Sequence, residues 1–145
     1  MSESVRHSTT ADRDVRHSRY WLLAWGGACA LGVLNGIARQ AVYQERLGDR
    51  TAHAVSTGTL VAGLTAYVSG LQHRWPLLSR RTALRIGAVW ALATLTFEFG
   101  FGHYVAHQSW AELLGAYDVR RGELWILVPI AMLTLPEILR RLNET

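Results

Sequence analysis

The sequence predicts an all-α fold: a four-helix transmembrane bundle with a short interfacial helix between helices three and four. Three observations predict it. Half of the 145 residues are hydrophobic while only 18% are charged, below the usual quarter or so. Every Arg, Asp and Glu except Glu98 and Glu137 lies outside four stretches, Tyr20–Ala38, Thr51–His73, Ile86–Ala111 and Leu124–Leu139. A helix of a soluble bundle carries charges every few residues along its outer face, and the first two stretches carry none. The apolar content excludes a disordered chain, the single Cys29 a disulfide scaffold, and the length a multi-domain enzyme.

Residues 1–18 are polar, with Val-Arg-His-Ser at Val5–Ser8 and again at Val15–Ser18. They read as a disordered cytoplasmic tail whose arginines set topology. Residues 19–142 then form one transmembrane domain. A spanning helix takes about 20 mostly apolar residues, each rising about 1.5 Å. Tyr20–Ala38 and Thr51–His73 supply 19 and 23, and the four spans are placed at about 20–38, 53–72, 84–105 and 123–140. The fourth is short, lengthened by snorkelling of Arg140 and Arg141, with Pro129 and Pro136 as bend points. Glu137 is expected to snorkel outward to the same arginines.

Between the third and fourth spans, Ser109-Trp-Ala-Glu112 has the form of a capping box, opening an amphipathic helix over Trp110–Tyr117. The turn Asp118–Gly122 leads into the last span. Trp21, Trp25, Trp75, Trp110 and Trp125, with Tyr20, Tyr43, Tyr104 and Tyr117, fall near span ends as an aromatic belt. Gly26, Gly27, Gly32 and Gly36 in the first span, with Ser56, Gly58, Gly63 and Gly70 in the second, suit close helix packing or the seam of a homodimer.

Arginine sets the orientation, because cytoplasmic flanks hold the positive excess. Ten arginines flank the spans on the side of both termini and five on the other, so both termini are expected in the cytoplasm. There is no Lys anywhere, which reads as a GC-rich coding bias and points to a bacterial inner membrane. The first apolar run is span-length and has no small-x-small cleavage site behind a short core, so a retained span is expected rather than a signal peptide.

Glu98 is the costliest residue in this arrangement, since a carboxylate at membrane depth is disfavoured unless paired or protonated. It falls past the midplane toward the outer side. Asn35 and Arg39 lie at the same end, one turn apart on the first span. His53 and Ser56 lie there on the second, His103 on the third, and Asp118 before the fourth. If the helices pack in sequence order, these ends converge on a polar pocket open to the outside, with Arg39 the partner of Glu98 and His53 and His103 beside them. The pocket would take a small polar ligand, an ion or a lipid headgroup, with Glu98 as the proton-exchanging or cation-binding group and the histidines as hydrogen-bonding relays. The alternative is an accessory subunit of a larger membrane complex whose polar cluster only stabilises the bundle. His103 and His107 have the one-turn spacing of metal ligands, but no His-Glu-x-x-His signature accompanies them and no metal or other cofactor is expected. Ser56 near His53 is no nucleophile elbow, so an enzyme is the less favoured reading. The expected partners are the lipid bilayer and a second copy or a larger complex. Without basic runs interleaved with aromatics, no nucleic acid is expected.

The stretch Phe97-Glu-Phe-Gly-Phe-Gly-His-Tyr-Val, with Ser109-Trp, Leu113-Leu114, Tyr117 and Gly122-x-x-Trp125, resembles uncharacterised small four-span membrane proteins of bacteria. Asn35-Gly36-x-x-Arg39 belongs to the same likeness, which covers most of residues 20–136. The resemblance implies the topology and the choice of polar residues; it carries no assigned activity.

Overall fold

A computed structural model describes residues 2–145. Among them the fold is all-α, with no strand. Helix α1 runs Ser2–Ala38 and continues through a π-helical turn, Arg39–Tyr43, into the short α2, Gln44–Leu47. Gly48, at φ 78°, turns the chain into α3, Asp49–Arg74. Helix α4 is Arg80–Tyr104, α5 Trp110–Gly115 and α6 Leu127–Glu144, with a 3-10 turn at Val119–Arg121 before α6.

Three helices are long and apolar enough to cross a membrane: α1 with its π-helical continuation, α3 and α4. The expected fourth span falls short of that description. Glu137, Arg140, Arg141 and Glu144 all lie within the 18 residues of α6. The helix also begins later than expected, because Leu124 and Trp125 close tight turns whose carbonyls accept from Leu127 and Val128 three residues on.

Residues 2–18, expected as a disordered tail, are helical and extend α1. Asp14 explains the docking of this extension. Its carboxylate, 4% exposed, accepts from the Leu78 N–H at 2.8 Å, the Ser79 N–H at 3.1 Å and the Thr82 hydroxyl at 3.0 Å. These are donors that the start of α4 would otherwise leave unmade. His17 Nδ1 donates to the Pro76 carbonyl at 2.7 Å, tying α1 to the same loop.

Helix α1 packs on α3 and α4, and α6 packs on the same two. The α3 and α4 backbones stay apart and their side chains meet, as at Tyr67 and Trp90 with ring centroids 6.5 Å apart, so the order around the bundle is α1, α3, α6, α4 rather than the sequence order. Gly87 is what admits α6. It is buried, and a Cβ there would collide with the backbone carbonyl of Leu133, so α4 and α6 meet backbone to backbone. Inside, Trp21 and Trp90 are fully buried among Leu64, Val68 and Val128. Trp21 is therefore a core residue and not a belt anchor: its Nε1–H donates to the Trp75 carbonyl at 2.9 Å, and its own carbonyl accepts from Trp90 Nε1 at 3.0 Å. The outer surface of the long helices is apolar, with Leu23 of α1 78% exposed and Leu92 of α4 65%.

Candidate functional site

The C-terminal half of α4 carries Glu98 on a face turned toward α6 and the α5 loop. Two aromatic side chains that arrive from later in the chain hold it. The Tyr117 hydroxyl donates to Glu98 Oε2, and the Trp125 indole N–H bridges both carboxylate oxygens at 3.1 Å. Phe99 stacks on Tyr117 with ring centroids 5.6 Å apart, fixing the phenol from α4 itself. Burial pushes the Tyr117 phenol well above its ordinary range, and the neighbouring Glu98 charge pushes in the same direction. The phenol is thus a permanent donor.

Local sequence explains how these groups arrive. The Ser109 hydroxyl accepts from the Glu112 N–H and the Glu112 carboxylate accepts from the Ser109 N–H, so the expected capping box forms and starts α5. The helix is shorter than expected, ending at Gly115 rather than Tyr117. The Asp118 side chain then accepts from the Arg120 N–H and caps the 3-10 turn, which Gly122, at φ 81°, closes. This chain reversal brings Tyr117 and Trp125 together onto the Glu98 carboxyl group.

A cavity of about 360 Å³ opens at this end, bordered by Arg39, His53, Glu98, Tyr117 and Trp125 with Gly32 and Gly36 of α1. Glu98 also borders a second, apolar cavity of about 380 Å³ that runs deeper beside Cys29 and Met132. Arg39, His53 and Glu98 thus share one cavity wall, but the expected Arg39–Glu98 ion pair does not form. Glu98 takes neutral donors from Tyr117 and Trp125, and Arg39 enters the cavity from the π-helical turn.

His53 makes its own pair instead. Its Nδ1 lies 3.2 Å from Glu123 Oε2 and its ring packs on Trp125 with centroids 5.4 Å apart. Asn35 and Ser56 meet directly: the Asn35 amide donates to the Ser56 hydroxyl at 2.6 Å and to its carbonyl at 3.0 Å. Ser56 is fully buried, so this is a latch between α1 and α3 beside the cavity rather than part of its lining.

Two expected site residues lie elsewhere. The His103 ring stacks on Trp110 at 3.8 Å, and its Nδ1 donates to the Gln108 carbonyl at 2.9 Å, fastening the loop after α4. That loop reverses at His107, which adopts φ 57°. Asp118 spends its carboxylate on the 3-10 cap and on Arg121 at 3.5 Å. Tyr117 and Trp125, expected as belt aromatics, are instead the hydrogen-bond donors to Glu98. Their proximity to a turn cap at Asp118 was the available sign that they could fold back onto Glu98. At the opposite end, Glu137 is 7% exposed and faces inward, with Arg140 at 2.7 Å and Arg141 at 2.7 Å, so it carries its cations with it rather than snorkelling away.

No family model, curated protein or solved structure matches this chain.

Proposed function

We propose that the protein is a multi-pass inner-membrane protein, with both termini cytoplasmic, that binds a small polar ligand, an ion or a lipid headgroup in the cavity beside Glu98. The observation that carries this reading is an acidic and a basic side chain bordering one cavity without pairing. The carboxyl group of Glu98 is held by a hydroxyl and an indole, neither of them a cation. The guanidinium of Arg39 borders the same space without being spent on it. A ligand with a cationic and an anionic group, or a polar solute with donors and acceptors, finds both partners there.

The fourth span is part of the same proposal. Trp125, just before α6, reaches Glu98, while Glu137 on α6 lies 4.0 Å from Arg80 at the start of α4. Between Arg80 and Glu98 the α4 axis rises about 27 Å, close to the hydrocarbon thickness of about 30 Å. Helix α6 therefore accompanies α4 over its length, and its charges gather at one end.

Thermal unfolding of the detergent-solubilised protein, with glycerol phosphate, ethanolamine, and monovalent and divalent cations as probes, tests the cavity. Wild type is expected to be stabilised by at least one of them. Glu98→Gln is expected to keep its fold, because the amide still accepts from Tyr117 and Trp125, and to lose that stabilisation. A Glu98→Gln protein that no longer folds supports the second reading, an accessory subunit in which the cluster is a lock. That both oxygens of the Glu98 side chain already accept a hydrogen bond favours that second reading.

A further inference from the structure

At the other end of the molecule, a groove of about 540 Å³ separates the first half of α1 from the start of α4. It belongs to no part of the Glu98 site. Its polar half is lined by Asp14, Ser18, Arg81 and Arg85, and its apolar half by Leu22 and Val89. The polarity changes in step along both walls. On α1 it passes from Thr10 and Asp14 through Ser18 to Leu22, with Ala11 and Val15 the apolar exceptions, and on α4 from Arg81 through Arg85 to Val89, the ends eight residues apart in each case. Eight residues are about 12 Å of helix, the distance from a phosphate to the upper part of an acyl chain.

The charges in the groove are not equivalent. Asp14 is buried and its oxygens are occupied by the Leu78 and Ser79 N–H groups and the Thr82 hydroxyl. Arg81 and Arg85 are exposed, and neither forms an ion pair among the described residues. Arg80, one residue away, does pair, with Glu137. Leu22 is 44% exposed and Val89 46%, so the apolar half is open to its surroundings. A groove whose free cations sit at one end and whose uncovered apolar walls sit at the other matches one occupant.

We propose that this groove is a binding site for an anionic phospholipid, its phosphodiester held by Arg81 and Arg85 and its acyl chain lying against Leu22 and Val89. Basic pockets between spans on the cytoplasmic side recognise anionic headgroups in this manner. A free phosphate would gain the arginines but not the apolar walls. The inference rests on the membrane reading of the chain and is independent of the Glu98 cavity.

The test uses the full chain in dodecyl maltoside, titrated with phosphatidylglycerol or phosphatidylcholine of identical chains and read by native mass spectrometry and thermal unfolding. Phosphatidylglycerol is expected to bind and stabilise, and phosphatidylcholine to bind at least tenfold more weakly. Arg81→Gln with Arg85→Gln is expected to weaken phosphatidylglycerol by about tenfold or more, as two lost surface charges imply. Arg120→Gln with Arg121→Gln, at the opposite end, is expected to leave it unchanged. Val89→Trp, which fills the apolar half, is expected to remove lipid binding while both arginines remain. Millimolar inorganic phosphate is expected not to compete.

Equal uptake of the two lipids, an Arg81/Arg85 variant that binds like wild type, or displacement by inorganic phosphate overturns the site. In a chain that leaves native membranes only with detergent, such a result spares the membrane reading. Release of the chain by an alkaline carbonate wash overturns both.

Discussion

Tyr117 decides more at the Glu98 cluster than its place on a short connecting turn would imply. Its hydroxyl donates to a carboxylate, a bond of about 1.5–3 kcal/mol when the acceptor is charged. Because the folded protein holds the phenol above its ordinary range, the unfolded chain ionises first, at about pH 10. Stability from this group is full below that pH and falls as pH rises toward the folded value. Tyr117→Phe is therefore expected to be less stable than wild type at pH 8. The gap should narrow by up to about 1.4 kcal/mol per unit as pH rises above 10. Tryptophan-monitored unfolding in detergent at pH 8 and pH 11 measures it, and a gap indifferent to pH would show that the phenol is not held by Glu98. The same scale shows what residue chemistry alone made readable. A carboxyl group inside a long apolar run is costly unless it finds partners, so Glu98 stood out. Its donors were hidden because Tyr and Trp near span ends serve as interfacial anchors far more often than as ligands of a buried carboxylate.

At the scale of elements, the interhelical seams are set by single small residues. Gly87 brings α4 against the α6 backbone, and Gly27 lies directly beneath the Tyr67 hydroxyl, which donates to the Ala24 carbonyl at 2.7 Å. Gly26 has nothing within 4 Å. Gly87→Ala is expected to destabilise the protein by about 1–3 kcal/mol, since overpacking against backbone cannot be relieved by a rotamer change. Gly26→Ala, with open space for its methyl, is expected to stabilise by about 0.5–1 kcal/mol, the advantage of Ala over Gly inside a helix. Paired denaturation curves distinguish them; equal effects would mean that α4 and α6 do not meet at Gly87. The small residues of the first span were visible as a stripe, yet within the chain Gly32 and Gly36 meet nothing within 4 Å, and the decisive glycine lay in the third. A stripe indicates where backbones can approach, and only the packed partner shows where they do. The capping box at Ser109 and Glu112 was legible because both of its bonds join residues three apart, whatever the rest of the chain does.

For the whole molecule, the side on which the C-terminus lies follows from the number of crossings. Four crossings return the C-terminus to the side of the N-terminus, and three leave it opposite. The Glu137–Arg80 proximity puts the end of α6 beside the α3–α4 loop. A C-terminal green fluorescent protein fusion is therefore expected to fluoresce in cells and a C-terminal alkaline phosphatase fusion to be inactive. The reverse pattern would remove the fourth span and the cytoplasmic C-terminus with it.

The helical class and three membrane-length helices were determined by the sequence itself, because a run without charges over about 20 residues records a local requirement for burying backbone in an apolar medium. The ordering of residues 2–18 escaped it. That extension is helical and rests on Asp14, and the donors Asp14 satisfies are more than sixty residues away. The order of helices around the bundle and the partners of Glu98 were likewise decided by the tertiary structure alone. Each depends on which surfaces meet across the chain: α6 enters where Gly87 leaves room, and Tyr117 and Trp125 are brought to Glu98 by the turn between them, leaving Arg39 exposed to the cavity. Composition states what a segment can tolerate around it, and contact geometry selects which neighbour supplies it.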